Sequence, residues 1–125
     1  MRAELEQKLA NRYPEMFIDR YRSPRETLIC FGCECGDGWY WLLNSCFFCI
    51  YLWCMLGRFE IPVLSQIKEK YGRLVISFWS ADQVSWTIAG VFEDLSEHIC
   101  EVCGWPGKMN DGGWLQVRCK KHWKI

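Results

Sequence analysis

The spacing of apolar and polar residues predicts four helices and one clear strand ahead of the last quarter of the chain. Leu5 and Leu9 stand four residues apart among charged side chains, a pattern typical of a short amphipathic helix over Glu4 to Arg12. Pro14 limits this helix, because proline cannot continue the helical hydrogen bonds. The polar segment 20–26 follows as a connector.

The second half of the body alternates helix and strand patterns. We predict a helix over Val63 to Tyr71 with Gly72 as its C-terminal stop, then a strand over Arg73 to Trp79, where β-branched and aromatic residues are frequent. A further helix begins at Asp82 or Ser85. Its apolar positions follow helical spacing and are Ile88, Val91, Phe92, Leu95 and Ile99.

The segment from Trp39 to Leu56 carries no charged residue over 18 positions, which meets the lower length limit of a membrane-spanning helix. Asn44 and Ser45 interrupt it, and aromatic residues are spread along its length. We therefore favour a helix buried on most sides over a membrane span. Asp37 is placed to cap its start. Whether the helix is buried within the monomer or in an interface stays open, as does the oligomeric state.

Composition limits the functional classes only weakly. The chain has 125 residues and zero formal net charge, which suits one domain and gives no overall preference for a polyanion. The charge is uneven, however. Residues 27–99 hold four basic and eight acidic side chains, a net charge of −4, and residues 100–125 hold five basic and two acidic, a net charge of +3. A basic end beside an acidic middle is compatible with contact to nucleic acid or to an acidic protein face.

Cysteine usage points to a reducing compartment. Nine cysteines are an odd number, and the charged segment 1–11 lacks the apolar stretch of a secretory signal. In a reducing cytoplasm such a chain holds thiols or a metal in preference to a disulfide framework.

The C-terminal cysteines have the spacing of metal ligands. Cys100 and Cys103 form one close pair, and Cys119 and His122 form another after a glycine-containing segment in which Trp114 to Val117 predicts a returning strand. Two such pairs suit a tetrahedral zinc ion. We predict a Cys3His site in a zinc-ribbon-like knuckle. Reduced core cysteines with a surface histidine, or a disulfide, are the alternatives.

The remaining cysteines permit a second site. Four of them could combine around another zinc, although no histidine accompanies them and thiols also pack well in an apolar core. Core thiols are the favoured interpretation. The residues concerned are Cys30, Cys33, Cys35, Cys46 and Cys49.

Together these patterns predict one α+β domain over residues 1–125, with helices around a small β-sheet. Residues 1–99 form the body and residues 100–125 the zinc knuckle.

Several motifs, in this order, resemble a group of small bacteriophage and prophage proteins of undescribed function. The match runs from about residue 26 to 122, and the combination is more specific than any one motif. Its stretches are Glu34-Cys-Gly-Asp-Gly-Trp39, Gln66-Ile-Lys-Glu-Lys-Tyr-Gly72, Cys100-Glu-Val-Cys-Gly-Trp-Pro-Gly107, Gly112-Gly-Trp114 and Cys119-Lys-Lys-His122. The resemblance implies a phage origin and a location in the host cytoplasm. Cys33 and the apolar helix 39–56 depart from the group's pattern.

Three functional hypotheses follow. The first is a non-enzymatic protein that binds and modulates a host or defence protein, since the cores of protein interfaces are enriched in aromatic and arginine side chains. The second is nucleic-acid binding through the knuckle, with lysines on phosphates and a tryptophan on a base. Enzymatic activity is disfavoured because four protein ligands close a zinc site, although Glu34 and Asp37 could form an acid–base pair. The candidate partner-binding residues are Trp105, Lys108, Trp114, Arg118, Lys120 and Lys121.

Overall fold

A computed structural model describes residues 1–110 and 112–123 of the chain, and over these residues the fold is α+β as predicted. Three helices surround a three-stranded mixed sheet, and a two-stranded hairpin forms near the C-terminal end. In chain order the elements are α1 (Ala3–Arg12), β1 (Cys33–Glu34), α2 (Tyr40–Gly57), β2 (Leu64–Lys70), β3 (Arg73–Phe78), α3 (Gln83–Ser96), β4 (Lys108–Met109) and β5 (Val117–Arg118). Lys124, which the sequence places among the basic residues of the knuckle, lies outside the described residues.

The main sheet has the strand order β1, β2, β3. The short strand β1 runs parallel to β2, with Cys33 opposite Ile67, and β3 runs antiparallel to β2, with Ile67 opposite Ile76. Strand β3 confirms the prediction for 73–79. Helix α1 likewise confirms the amphipathic pattern, because Leu9 is fully buried while its charged neighbours face outward.

The predicted helix over 63–71 is wrong, because this segment is strand β2. A β-bulge between Leu64 and Gln66 brings Leu64 and Ile67 to the same buried face, three residues apart instead of two or four. That spacing imitates a helical period. Gly72 does not end a helix either. Tyr71 and Gly72 both adopt positive φ, 53° and 78°, as a two-residue hairpin turn between β2 and β3 requires.

Helix α2 packs one side into the core and leaves the other exposed, so the expectation that it is buried on most sides is only half met. Leu43, Phe47 and Ile50 are fully buried against side chains from α1 and the sheet. By length and composition alone, Asp37–Gly57 would suffice to cross a membrane, and 33% of its most apolar window is buried within the protein. A soluble core helix passes the same test.

The start of α3, predicted at Asp82 or Ser85, is confirmed, whereas the predicted cap of α2 is wrong. Asp82 caps α3, accepting the Ser85 backbone N–H at 3.0 Å. Asp37 does not cap α2. Its carboxylate instead accepts the backbone N–H of Arg2 at 2.7 Å and pairs with the Arg2 guanidinium at 2.9 Å. The α1 end of the chain therefore holds the loop that precedes α2.

Candidate metal centre

The four predicted ligands converge at one point. One ligand atom from each of Cys100, Cys103, Cys119 and His122 lies within 4.8 Å of every other. The Sγ atoms of Cys103 and Cys119 are 3.7 Å apart, and His122 Nδ1 lies 3.8 Å from Cys100 Sγ and 3.2 Å from Cys119 Sγ. For metal–sulfur bonds of ~2.3 Å the edge of a regular tetrahedron is about 3.8 Å. These side chains can therefore hold a metal ion.

The spacing of the ligand atoms also argues against both alternatives to a metal site. A disulfide needs sulfurs about 2.05 Å apart, far closer than Cys103 and Cys119, and both cysteines are free. A set of core thiols with a distant surface histidine does not fit either. His122 is half-buried and presents its ring nitrogen to two of the sulfurs.

Tight backbone turns place both ligand pairs. The Gly104 N–H donates to the Cys100 carbonyl at 2.9 Å, and Gly104 takes a φ of 82°, which glycine adopts without strain. The His122 N–H donates in the same way to the Cys119 carbonyl at 3.1 Å. Strands β4 and β5 pair between the two turns. The predicted returning strand is confirmed only at its end, since the strand begins at Val117.

The electrostatics of the site favour a thiolate at Cys100. Burial alone would raise the pKa of this fully buried thiol, but backbone N–H groups of Cys119, Cys103 and Val102 point at its sulfur. Their hydrogen bonds outweigh burial and lower the pKa to about 6. Burial and the neighbouring sulfurs of Cys119 and Cys100 raise the pKa of Cys103. Amide donors that stabilise one sulfur anion are the usual surroundings of a metal-bound cysteine.

The loop Gly36–Trp39 holds the first turn of the knuckle. The Gly38 N–H donates to the Glu101 carbonyl at 2.8 Å, and the Trp39 indole N–H donates to the Ile99 carbonyl at 2.9 Å. A Cβ atom on Gly36 would lie 2.3 Å from the Glu101 carbonyl oxygen, so the two backbones can approach only because this residue is glycine. The motif that resembles phage proteins at 34–39 is thus the docking surface of the metal centre. Sequence reasoning had not joined these two motifs.

Arg118 is the predicted partner-binding residue that fits that role least. It is only 8% exposed, its Nη1 donates to the Val117 carbonyl at 3.0 Å, and it lies 3.5 Å from a carboxylate oxygen of Glu101. The Glu101 carboxylate also accepts the Gly36 N–H at 2.9 Å. Arg118 therefore connects β5 to the docking loop instead of presenting a free cation on the surface.

The other predicted partner-binding residues lie at the surface of the knuckle. Trp105 and Trp114 are 72% and 76% exposed. Trp123 beside them is exposed too, as are Val91 and Leu95 of α3. The exposed lysines are Lys108, Lys120 and Lys121.

Several clefts open at the surface of the knuckle, and two of them are lined by exposed tryptophans; a third is lined by Cys103, Cys119 and His122. Trp105 faces Trp41 of α2 across one of about 370 Å³, whose lining includes Phe92 and Ile99. Lys120, Lys121 and Trp123 line another of about 870 Å³. The Lys108 ammonium lies 5.6 Å from the centre of the Trp123 ring, within cation–π range.

Of the five cysteines considered for a second site, three lie in the core, and Cys30 and Cys49 are half-buried. Cys33, Cys35 and Cys46 are buried, and burial raises the pKa of each thiol, that of Cys33 to about 12. Cys30 is half-buried and donates to the Thr27 carbonyl at 3.4 Å. Within residues 1–110 and 112–123, the group at Cys100–His122 is the one set of histidine, cysteine and acidic side chains whose ligand atoms converge.

Comparison of the chain with protein-family models, with curated proteins and with solved structures gives no match. The interpretation of the site therefore depends on its geometry and on the motifs in the sequence.

Proposed function

We propose that this chain is a phage-encoded, non-enzymatic zinc-binding protein that acts in the host cytoplasm by binding and modulating a host or defence protein. The identity of the metal is argued from the ligands. Three thiolates and one imidazole at tetrahedral spacing are soft donors, which suit zinc better than magnesium or calcium. The phage origin rests on the order of motifs between residues 34 and 122.

The observation that carries the binding role is the combination of a four-ligand site with exposed tryptophans around it. Four protein ligands leave a zinc ion no open position for a water or a substrate, so the metal serves the fold. The large, rigid indoles of Trp105 and Trp114 are exposed to solvent on this metal-binding knuckle. Tryptophan is the residue type most enriched among interface anchors.

Affinity capture from host lysate tests the protein-binding role. We expect a specific host protein to be retained by the wild type and lost by the double variant Trp105→Ala, Trp114→Ala. The control is Tyr21→Ala, because Tyr21 is even more exposed, at 86%, but lies on the connector before β1. Native mass spectrometry of each protein must show one zinc. If both variants retain the same host protein equally, the tryptophans are not the anchors and this proposal is wrong.

Nucleic-acid binding is the second candidate, and the cleft beside Trp123 favours it. Lys120 and Lys121 could contact phosphates while the Trp123 ring stacks on a base, an arrangement that binds single strands without reading their sequence. Fluorescence titration with a single-stranded oligonucleotide distinguishes the candidates. If nucleic acid is the partner, affinity falls steeply with salt, and Lys120→Ala reduces the slope by about one unit.

A further inference from the structure

The outward side of α2 is an apolar face that residues 1–110 and 112–123 leave exposed. Its side chains recur at helical spacing along the whole helix. Trp41 and Leu56, near the two ends of the helix, are 69% and 84% exposed. We call this set the α2 face, and its members are Trp41, Phe48, Leu52, Met55 and Leu56.

The α2 face is separate from the side of the helix that the core uses. Leu43, Phe47 and Cys54 point the other way and are fully buried. The helix is therefore fixed in orientation, and a partner can reach its outer side without any unfolding. At ~150–250 Å² for a large side chain, the exposed fractions of the α2 face amount to about 600 Å². That is at the upper end of the largest apolar patch on a typical monomer.

The charge pattern of the face favours a second copy of this chain as the partner. No charged residue occurs from Trp39 to Gly57. In a two-fold symmetric contact every residue near the axis meets its own equivalent, so charges there would meet like charges. An uncharged stripe avoids that cost. Two such faces would bury about 1,200 Å² of total surface from these side chains alone, which is within the range of stable interfaces.

We propose that the protein forms a symmetric dimer through the α2 face. The midpoint of Tyr40–Gly57 lies between Phe48 and Cys49, so an antiparallel crossing there would place Phe48 beside the axis, with Leu52 one turn further along, and pair each end of the helix with the opposite end. This proposal is tested separately from the proposed function: Trp105 shares a cleft with Trp41 at one end of the α2 face, whereas the variants used below are on α2 itself and leave the zinc ligands and the knuckle tryptophans unchanged.

Light scattering after size exclusion, with sedimentation velocity, tests the dimer. At micromolar concentration the zinc-loaded wild type should show twice the chain mass of 14.9 kDa. Leu52→Glu should weaken dimerisation by about tenfold or more, because an unpaired carboxylate would be buried in the apolar contact. Leu28→Glu is the matched control and should stay dimeric, since Leu28 is 44% exposed and Leu52 is 45% exposed.

A second variant distinguishes loss of the dimer from loss of the fold. Leu56 is too exposed to support the core, so Leu56→Glu keeps the fold by circular dichroism and should still weaken the dimer. A monomeric wild type overturns the proposal, as does a dimer that persists in both Leu52→Glu and Leu56→Glu. Flotation of monomeric wild type with phosphatidylcholine vesicles, lost in Leu56→Glu, also overturns it and assigns the face to a membrane surface.

Discussion

The backbone N–H of Gly38 donates to the carbonyl of Glu101 at 2.8 Å, and this contact joins the start of the apolar helix to the first turn of the metal centre. Glu101 lies between the ligands Cys100 and Cys103. The position of the knuckle on the body is therefore set by a glycine 63 residues earlier in the chain. A metal ion would fix the four ligands relative to one another, but the loop Gly36–Trp39 is what holds the knuckle against the body.

Gly38→Ala should displace the knuckle from the body. The added Cβ would lie 2.3 Å from the Cys100 carbonyl oxygen and 2.6 Å from the Gly104 nitrogen, both backbone atoms that cannot move aside alone. We expect a loss of about 3 kcal/mol in the free energy of unfolding, measured by urea denaturation. Gly90→Ala is the control. Its Cβ meets nothing within 4 Å in helix α3, so it should stabilise the protein by about 0.5–1 kcal/mol. Equal stability of the two variants would contradict the docking role of Gly38.

Cys103→Ser should abolish stable metal binding. Cys103 is the most exposed ligand, so the serine hydroxyl creates no core defect, but it replaces a soft thiolate with a poor zinc ligand. Loss of a residue that hydrogen-bonds a metal ligand typically lowers the metal affinity ~10–100-fold. Loss of a ligand itself should lower the zinc affinity by more than that. Competition with a zinc-sensitive dye measures it.

Cys30→Ser is the control for the ligand assignment. Cys30 is a half-buried thiol whose one described hydrogen bond goes to the Thr27 carbonyl. This variant should retain one zinc per chain in native mass spectrometry. If Cys103→Ser remains folded and fully metal-loaded, the assignment of the four ligands is wrong.

Asp82→Ala should destabilise the start of α3 at neutral pH. Asp82 accepts the Ser85 backbone N–H at 3.0 Å, the Ser85 hydroxyl at 2.7 Å and the Trp53 indole N–H at 2.7 Å. Loss of these bonds should cost about 1–2 kcal/mol of unfolding free energy. Asp94→Ala is the control. It removes an exposed α3 carboxylate that pairs with Arg73 of β3, and should cost less than about 1 kcal/mol.

The pH dependence of the Asp82 contribution follows from its pKa. Burial opposes ionisation, but the hydrogen bonds from Ser85 and Trp53 outweigh it and hold the pKa of Asp82 below its ordinary value. The contribution is therefore present above the unfolded pKa of about 3.9 and is lost as the pH falls through the lower folded value. The stability difference between wild type and Asp82→Ala should shrink below about pH 4. Comparing the two at each pH cancels the release of metal in acid. A difference that is constant to low pH would mean that the carboxylate charge contributes nothing.

Sequence reasoning reached the ligands because their signal is local. The two ligands within each pair have two residues between them, and the turn that brings them together depends only on those neighbouring residues. The start of α3 was placed at Asp82 or Ser85 for the same reason, since a helix start depends on the residues of its own first turn. Strand β3 was also recognisable from its own composition, which is β-branched and aromatic.

What sequence reasoning missed depends on contacts between distant segments. The bulge at Leu64–Gln66 gave β2 an apolar spacing that imitates a helix, and only pairing with β3 decides it. Asp37 was assigned to capping because its partner, Arg2, is 35 residues away in the chain. Arg118 was counted as a surface cation because its neighbour Glu101 is brought close only by the fold.

Removal of the metal should loosen the knuckle and leave the body folded. Among the described residues, most fully buried side chains belong to the body, for example Leu9, Phe47 and Ile67. After chelation we expect hydrogen exchange to speed up at the Gly104 amide, which closes the turn of the first ligand pair, and at the Gly107 amide, which donates to the His98 carbonyl. Exchange should stay slow in β2 and β3. Re-addition of zinc should restore protection, and magnesium should not. Loss of protection throughout the sheet would show instead that the metal holds the whole domain together.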